Sequence, residues 1–161
     1  MELDVQYALE PGVAEADRVP TEAELSRWVA AALVHDEVDG TLTIRIVGLD
    51  EGAALNQTYR GKQGATNVLS FPVEVPPEVE VDLLGDVVIC APVVLREAAE
   101  QGKTVQAHWC HLVVHGVLHL LGYEHEDDAE ARFMEAHERQ ILNGLGYPDP
   151  YATEIYETAV A

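Results

Sequence analysis

Residues 104–125 read T-V-Q-A-H-W-C-H-L-V-V-H-G-V-L-H-L-L-G-Y-E-H, and the pattern of this run decides the fold. Apolar residues occupy most of a helical circumference from Thr104 to Leu121, which predicts a helix buried nearly all round. His108, His111, His115 and His119 follow one another at intervals of 3, 4 and 4 residues, so they form one polar stripe down that helix. Gly122 ends the helix and lets the chain turn, which can bring His125 back toward His115 and His119. Three imidazoles leave one position of a tetrahedral ion open, the arrangement of catalytic rather than structural zinc. Zinc, one ion per chain, is the default, although another divalent transition metal would accept the same nitrogens. Buried polar groups need partners, so His108 and His111 are either satisfied core histidines or groups that brace the ligands. A closed structural zinc with Glu124, Glu126 or Cys110 as fourth donor is the rival reading.

The spacing His115–His119–His125 also matches the long zinc-protease motif H-E-x-x-H-x-x-G-x-x-H. In that motif the second residue is the glutamate that serves as general base. Here it is Gly116. The expectation is a metzincin-like metal-binding helix without the proteolytic base, which weighs against a metalloprotease.

Outward from this helix, short elements alternate. Leu3–Ala8 reads as a strand, and Thr21 with Glu24 forms a capping box for a helix through Leu25, Trp28, Val29 and Leu33. Alternation of Leu42, Ile44 and Ile46 predicts a half-buried strand over Thr41–Val47. Asp50 is a candidate cap for a helix to about Tyr59, and R-G-K-Q-G leads into a strand near Val68–Val73. Leu83–Cys90 reads as an apolar strand, Ala91–Glu100 as a helix, and Asp127 or Asp128 caps a last helix to Leu142. The fold class is α+β: a small mixed β-sheet packed against helices, one of them the metzincin-like metal helix. Residues 1–147 form a single domain and 148–161 a loose tail.

The chain has 161 residues, enough for one sizeable core, and a net charge of −20. That charge disfavours non-specific binding to nucleic acid. Its distribution is uneven, however. From Gly52 to Val73 there is no acidic residue, and Arg60 and Lys62 lie in the middle. No apolar run reaches the ~18 residues of a membrane span. The N-terminus has neither a basic start nor an apolar signal core. Cys90 and Cys110 sit in apolar stretches and read as buried thiols rather than a disulfide. A cytoplasmic protein without a membrane partner is expected.

The stretch H-G-V-L-H-L-L-G-Y-E-H, His115–His125, resembles the signature H-G-x-L-H-L-x-G-Y-D-H of the YbeY family of bacterial metal-dependent endoribonucleases, implicated in ribosomal RNA maturation. Leu55–Pro72, L-N-Q-T-Y-R-G-K-Q-G-A-T-N-V-L-S-F-P, resembles a second block of that family, Leu83–Cys90 a third, and E-R-Q-I-L-N-G-L-G-Y also fits. Two positions depart: Asn67 stands where many members have aspartate, and Glu124 where many have aspartate. Asn67 therefore cannot accept a proton.

The resemblance implies that His115, His119 and His125 bind zinc and that Arg60 faces the metal cleft and contacts RNA. It implies a single-strand-type endoribonuclease acting in late ribosomal RNA processing, at the 3′ end of 16S RNA, with ribosomal proteins or the small subunit as further partners. Lys62 is either an assisting point charge for substrate or a solvated loop lysine. The alternative function is a non-enzymatic, metal-containing ribosome assembly factor.

Overall fold

The computed structural model describes residues 2–9, 18–34, 40–73, 83–123 and 127–151. In chain order the elements are β1 (Glu2–Ala8), α1 (Glu22–Ala32), β2 (Thr41–Val47), α2 (Leu49–Arg60), β3 (Val68–Pro72), β4 (Leu83–Cys90), α3 (Ala91–Gln101), α4 (Val105–Leu120) and α5 (Asp128–Gly144). The four strands form one mixed sheet in the order β1-β2-β4-β3. β1 and β2 are parallel, as are β2 and β4, while β3 runs antiparallel to β4 at one edge. This is the α+β architecture read from the sequence.

Alternation divides the sheet into two apolar faces. Leu42, Ile44 and Ile46 of β2 join Val87 and Ile89 of β4, and all are fully buried against α1 and α4. Trp28 of α1 and Trp109, Val113 and Val117 of α4 fill this layer. Fully burying each large apolar side chain contributes about 1.5–3 kcal/mol. The opposite face is smaller, with Val47, Leu69, Val88 and Cys90 packed around Val93 of α3.

Helix ends follow local chemistry. The Thr21–Glu24 capping box forms in both directions. Asp127 caps α5 by accepting from the Glu130 amide at 2.8 Å. Asp50, expected as a cap, lies instead in the first turn of α2, where Gly48 is the cap residue. Glu51, in the same first turn, takes a two-point contact from Arg45 at 2.5 and 2.9 Å. Thr104 caps α4 by accepting from the Ala107 amide at 3.1 Å. At the other end Gly122 adopts φ +97°, and the Tyr123 amide returns to the Leu118 carbonyl at 3.1 Å. Among the described residues no helix is long and apolar enough to cross a membrane.

Candidate functional site

The histidine stripe on α4 runs from the core to the surface. Side-chain exposure rises from 4% at His108 to 12% at His111 and 24% at His115. Neighbouring ring centroids lie 6.3, 6.1 and 4.7 Å apart, the closest pair being His115 and His119. At the buried end His108 Nε2 meets Glu97 of α3 at 3.0 Å, and the Asn67 amide donates to the same carboxylate at 3.1 Å. Burial raises the Glu97 pKa, but the bonds from His108 and Asn67 outweigh it and leave the carboxyl below its ordinary value. Asn67 is thus a donor that braces β3 against α3.

The group that organises the middle of the stripe is Glu138 of α5, which the sequence reading missed. It is completely buried. Its carboxylate meets His111 Nε2 and His115 Nδ1, the latter at 3.1 Å, and accepts from the Tyr151 hydroxyl at 3.0 Å. Burial pushes its pKa up, yet the histidine contacts prevail and hold it at about 2. An ionised carboxylate only accepts, so each partner donates. The neutral His115 ring therefore carries its proton on Nδ1 and its lone pair on Nε2, the orientation of a metal-binding imidazole braced by a carboxylate. Burial lowers the pKa of His111, and its Nδ1 is buried without a hydrogen-bond partner among the described residues. A signal for Glu138 was present: Met134, Glu138 and Leu142, each four apart, are the buried residues of α5, so a carboxylate interrupts an apolar stripe.

Tyr151 also corrects the expectation of a loose tail for its first residues. Pro150 is buried, and the Tyr151 ring stands against His111 at 5.4 Å between centroids. The Arg139 guanidinium lies 5.1 Å from the Tyr151 ring centre. Residues 152–161 lie outside the described part.

His115 and His119 open onto a cleft of about 1000 Å³ that wraps around edge strand β3. Arg45, Tyr59 and Arg60 line it with Phe71 and the two histidines. Arg45 is tied to Glu51, whereas exposed Arg60, in the last turn of α2, has no ion-pair partner among the described residues. Lys62 is exposed and is not among the residues lining the cleft. His125, Glu124 and Glu126 lie outside the described residues.

Among the described residues one group of side chains is close enough to hold a metal. The ligand atoms of His111, His115 and Glu138 all lie within 4.8 Å of one another. An ion there would have to displace the donated protons and the Tyr151 hydroxyl from a buried carboxylate. On the cleft side the His115 and His119 rings stand 4.7 Å apart between centroids. Cys110 does not fit as a fourth donor, because it is fully buried in the main core and burial pushes its thiol up to about 12. Both cysteines are free and buried, as expected.

Gly116 faces the sheet. A Cβ there would lie 2.7 Å from Val87 Cγ1 and 3.2 Å from Val68 Cγ2, and its carbonyl accepts from Ser70 Oγ at 2.9 Å. A side chain at this position would force α4 or Val87 to shift. The base of a zinc protease is thus disfavoured here by packing.

These features define a class: a small α+β protein whose cleft sets two imidazoles and the Arg60 guanidinium around one edge strand. The family model described as Endoribonuclease YbeY matches residues 13–146, and the chain belongs to that family. It is 56% identical over 161 residues to the endoribonuclease YbeY of Stutzerimonas stutzeri, covering 99% of this chain and 97% of that one. It is 57% identical over 149 residues to the endoribonuclease YbeY of Nitrosococcus oceani, covering 91% and 94%. The fold is similar to the solution structure of TM1509 from Thermotoga maritima, at 23% identity, with 89% and 91% of the chains covered and a TM-score of 0.53.

Proposed function

We propose that the protein is a zinc-dependent endoribonuclease that cuts single-stranded segments of ribosomal RNA in the cytoplasm, late in maturation of the 3′ end of 16S RNA. The observation that carries this reading is one cleft lined by His115, His119 and Arg60 in a chain of the endoribonuclease YbeY family.

His115, through Nε2, together with His119 and His125 would hold the ion. When bound, zinc supplies a Lewis acid that polarises a phosphoryl oxygen and lowers the pKa of water toward about 7. Glu138 keeps the His115 proton on Nδ1 and so keeps Nε2 available. Arg60 presents a planar fork to a non-bridging phosphate oxygen and stabilises charge that develops there. Lys62, beyond the cleft wall, adds a point charge along the strand's path. The acidic remainder of the surface disfavours loose RNA contacts and suits a basic ribosomal protein on the small subunit.

The test is cleavage of a structured ribosomal RNA fragment by wild type, His119→Ala and Arg60→Glu, with metal content measured on each. Wild type cuts and holds about one metal per chain, His119→Ala loses both, and Arg60→Glu keeps the metal but loses cutting. Equal cutting by all three proteins would reveal a contaminating ribonuclease and sink the assignment. A metal-replete wild type that binds ribosomal particles without cutting would make it an assembly factor.

A further inference from the structure

We propose that the Tyr59 ring is a stacking platform for an unpaired nucleobase of the RNA, set beside the phosphate contact made by Arg60. The inference rests on the endoribonuclease reading of the cleft and adds to it a base-binding subsite.

Five large hydrophobic residues are exposed among those described: Tyr7, Val34, Leu49, Tyr59 and Phe133. Tyr59 alone of these lines the cleft, and its exposure is 64%. Phe133 is also exposed, but its ring is stacked on Tyr123 at 5.8 Å and 14°, so the fold already covers one of its faces. Among the described residues Tyr59 has no such stack. Its described ring contact is with Phe71 of β3, at 4.9 Å between centroids and an interplanar angle of 64°. No hydrogen bond engages its hydroxyl among the described residues.

The ring is also held in place. Tyr59 lies in the last turn of α2, which Gly61 closes in the left-handed conformation, with its amide bonded to the Gln57 carbonyl at 3.1 Å. Phe71 supports the side chain from the sheet. A ring ordered before binding loses little entropy when a flat partner arrives.

Charge selects that partner. The segment from Gly52 to Val73 contains no acidic residue, although the chain carries a net charge of −20. Of the two arginines in the cleft, Arg45 is neutralised by Glu51; Arg60, with no ion-pair partner among the described residues, remains for an anion, although Asp86 lines the same cleft. An aromatic face beside a cation is the pairing by which proteins hold single-stranded RNA, the ring taking a base and the cation a phosphate. A duplex keeps its bases stacked inside, so the platform favours unpaired segments.

The experiment measures binding of a short, fluorescently labelled single-stranded RNA to the zinc-loaded protein by anisotropy, with strand integrity checked on a gel. Wild type, Tyr59→Ala and Tyr59→Trp are compared on the intact strand and on strands carrying one abasic ribose at successive positions. Tyr59→Ala is expected to weaken binding of the intact strand roughly tenfold or more. Tyr59→Trp retains it. One abasic position weakens wild type by a similar factor and leaves Tyr59→Ala unchanged, because both remove the same contact. Because Trp28 and Trp109 are buried, quenching of the new indole by the strand reads the stack directly. Equal affinity of Tyr59→Ala for the intact strand, or an equal loss on a fully abasic strand, overturns the platform. If that happens while wild type still cuts the strand, the endoribonuclease reading stands. Wild type that neither binds nor cuts any strand overturns both.

Discussion

Glu138 is the residue on which the site's geometry turns. Glutamine in its place has nearly the same shape but one acceptor oxygen instead of two, so His111, His115 and Tyr151 can no longer all donate. We expect Glu138→Gln to lower the unfolding free energy by about 1.5–3 kcal/mol, measured by urea denaturation. Loss of the brace on His115 should also weaken metal binding roughly 10–100-fold in a chelator competition. Unchanged metal affinity would mean that Glu138 only fills the core. Glu97 makes a different prediction. Its pKa is lowered in the folded state, so the stabilisation it gives is complete above about pH 4.3, the ordinary glutamate value. It is lost as pH falls through the lowered folded value. Glu97→Gln should therefore flatten the fall in stability below that pH, read as midpoint temperature against pH.

At the scale of elements, the approach of α4 to the sheet depends on Gly116. Alanine favours a helix interior by about 1 kcal/mol, but overpacking a fitted core costs about 1–3 kcal/mol. With a Cβ only 2.7 Å from Val87, the second effect prevails, and Gly116→Ala should lower the midpoint temperature in a thermal melt. In a Val87→Ala background Gly116→Ala should cost less, and an equal cost there would place the strain elsewhere. The element order was legible in the sequence because local signals were strong: the Thr21–Glu24 box, the alternation along β2, and Gly122 after a buried helix. The partner of the histidine stripe was marked only by a carboxylate between Met134 and Leu142. Glu138 lies 23 residues from His115, on a helix whose other charged residues make it read as a solvated surface element. The cleft role of Tyr59 was hidden in the same way, because a tyrosine at a helix end reads as ordinary packing until β3 is placed beside it.

At the scale of the whole molecule, a local basic island must attract RNA against a net charge of −20. Few phosphates are then neutralised, and the salt dependence of binding should be shallow. For single strands each neutralised phosphate contributes about 0.7 to the slope of log affinity against log salt. Arg60→Ala should reduce the slope by about that amount, while Arg18→Ala, far along the chain from the cleft wall, should leave it unaltered. A slope unaffected by Arg60→Ala would remove that arginine from the phosphate contacts.

The two buried thiols fall in separate cores: Cys110 packs with the α1–α4 layer, and Cys90 with the smaller cluster on the cleft side of the sheet. Burial raises the pKa of both, so neither reacts while its layer stays closed. The chain thus carries its own pair of clocks. The rate at which each sulfur takes up a thiol-specific label times the breathing of one face of the sheet, without any residue being changed. Binding of RNA along the edge strand should slow the Cys90 clock more than the Cys110 clock.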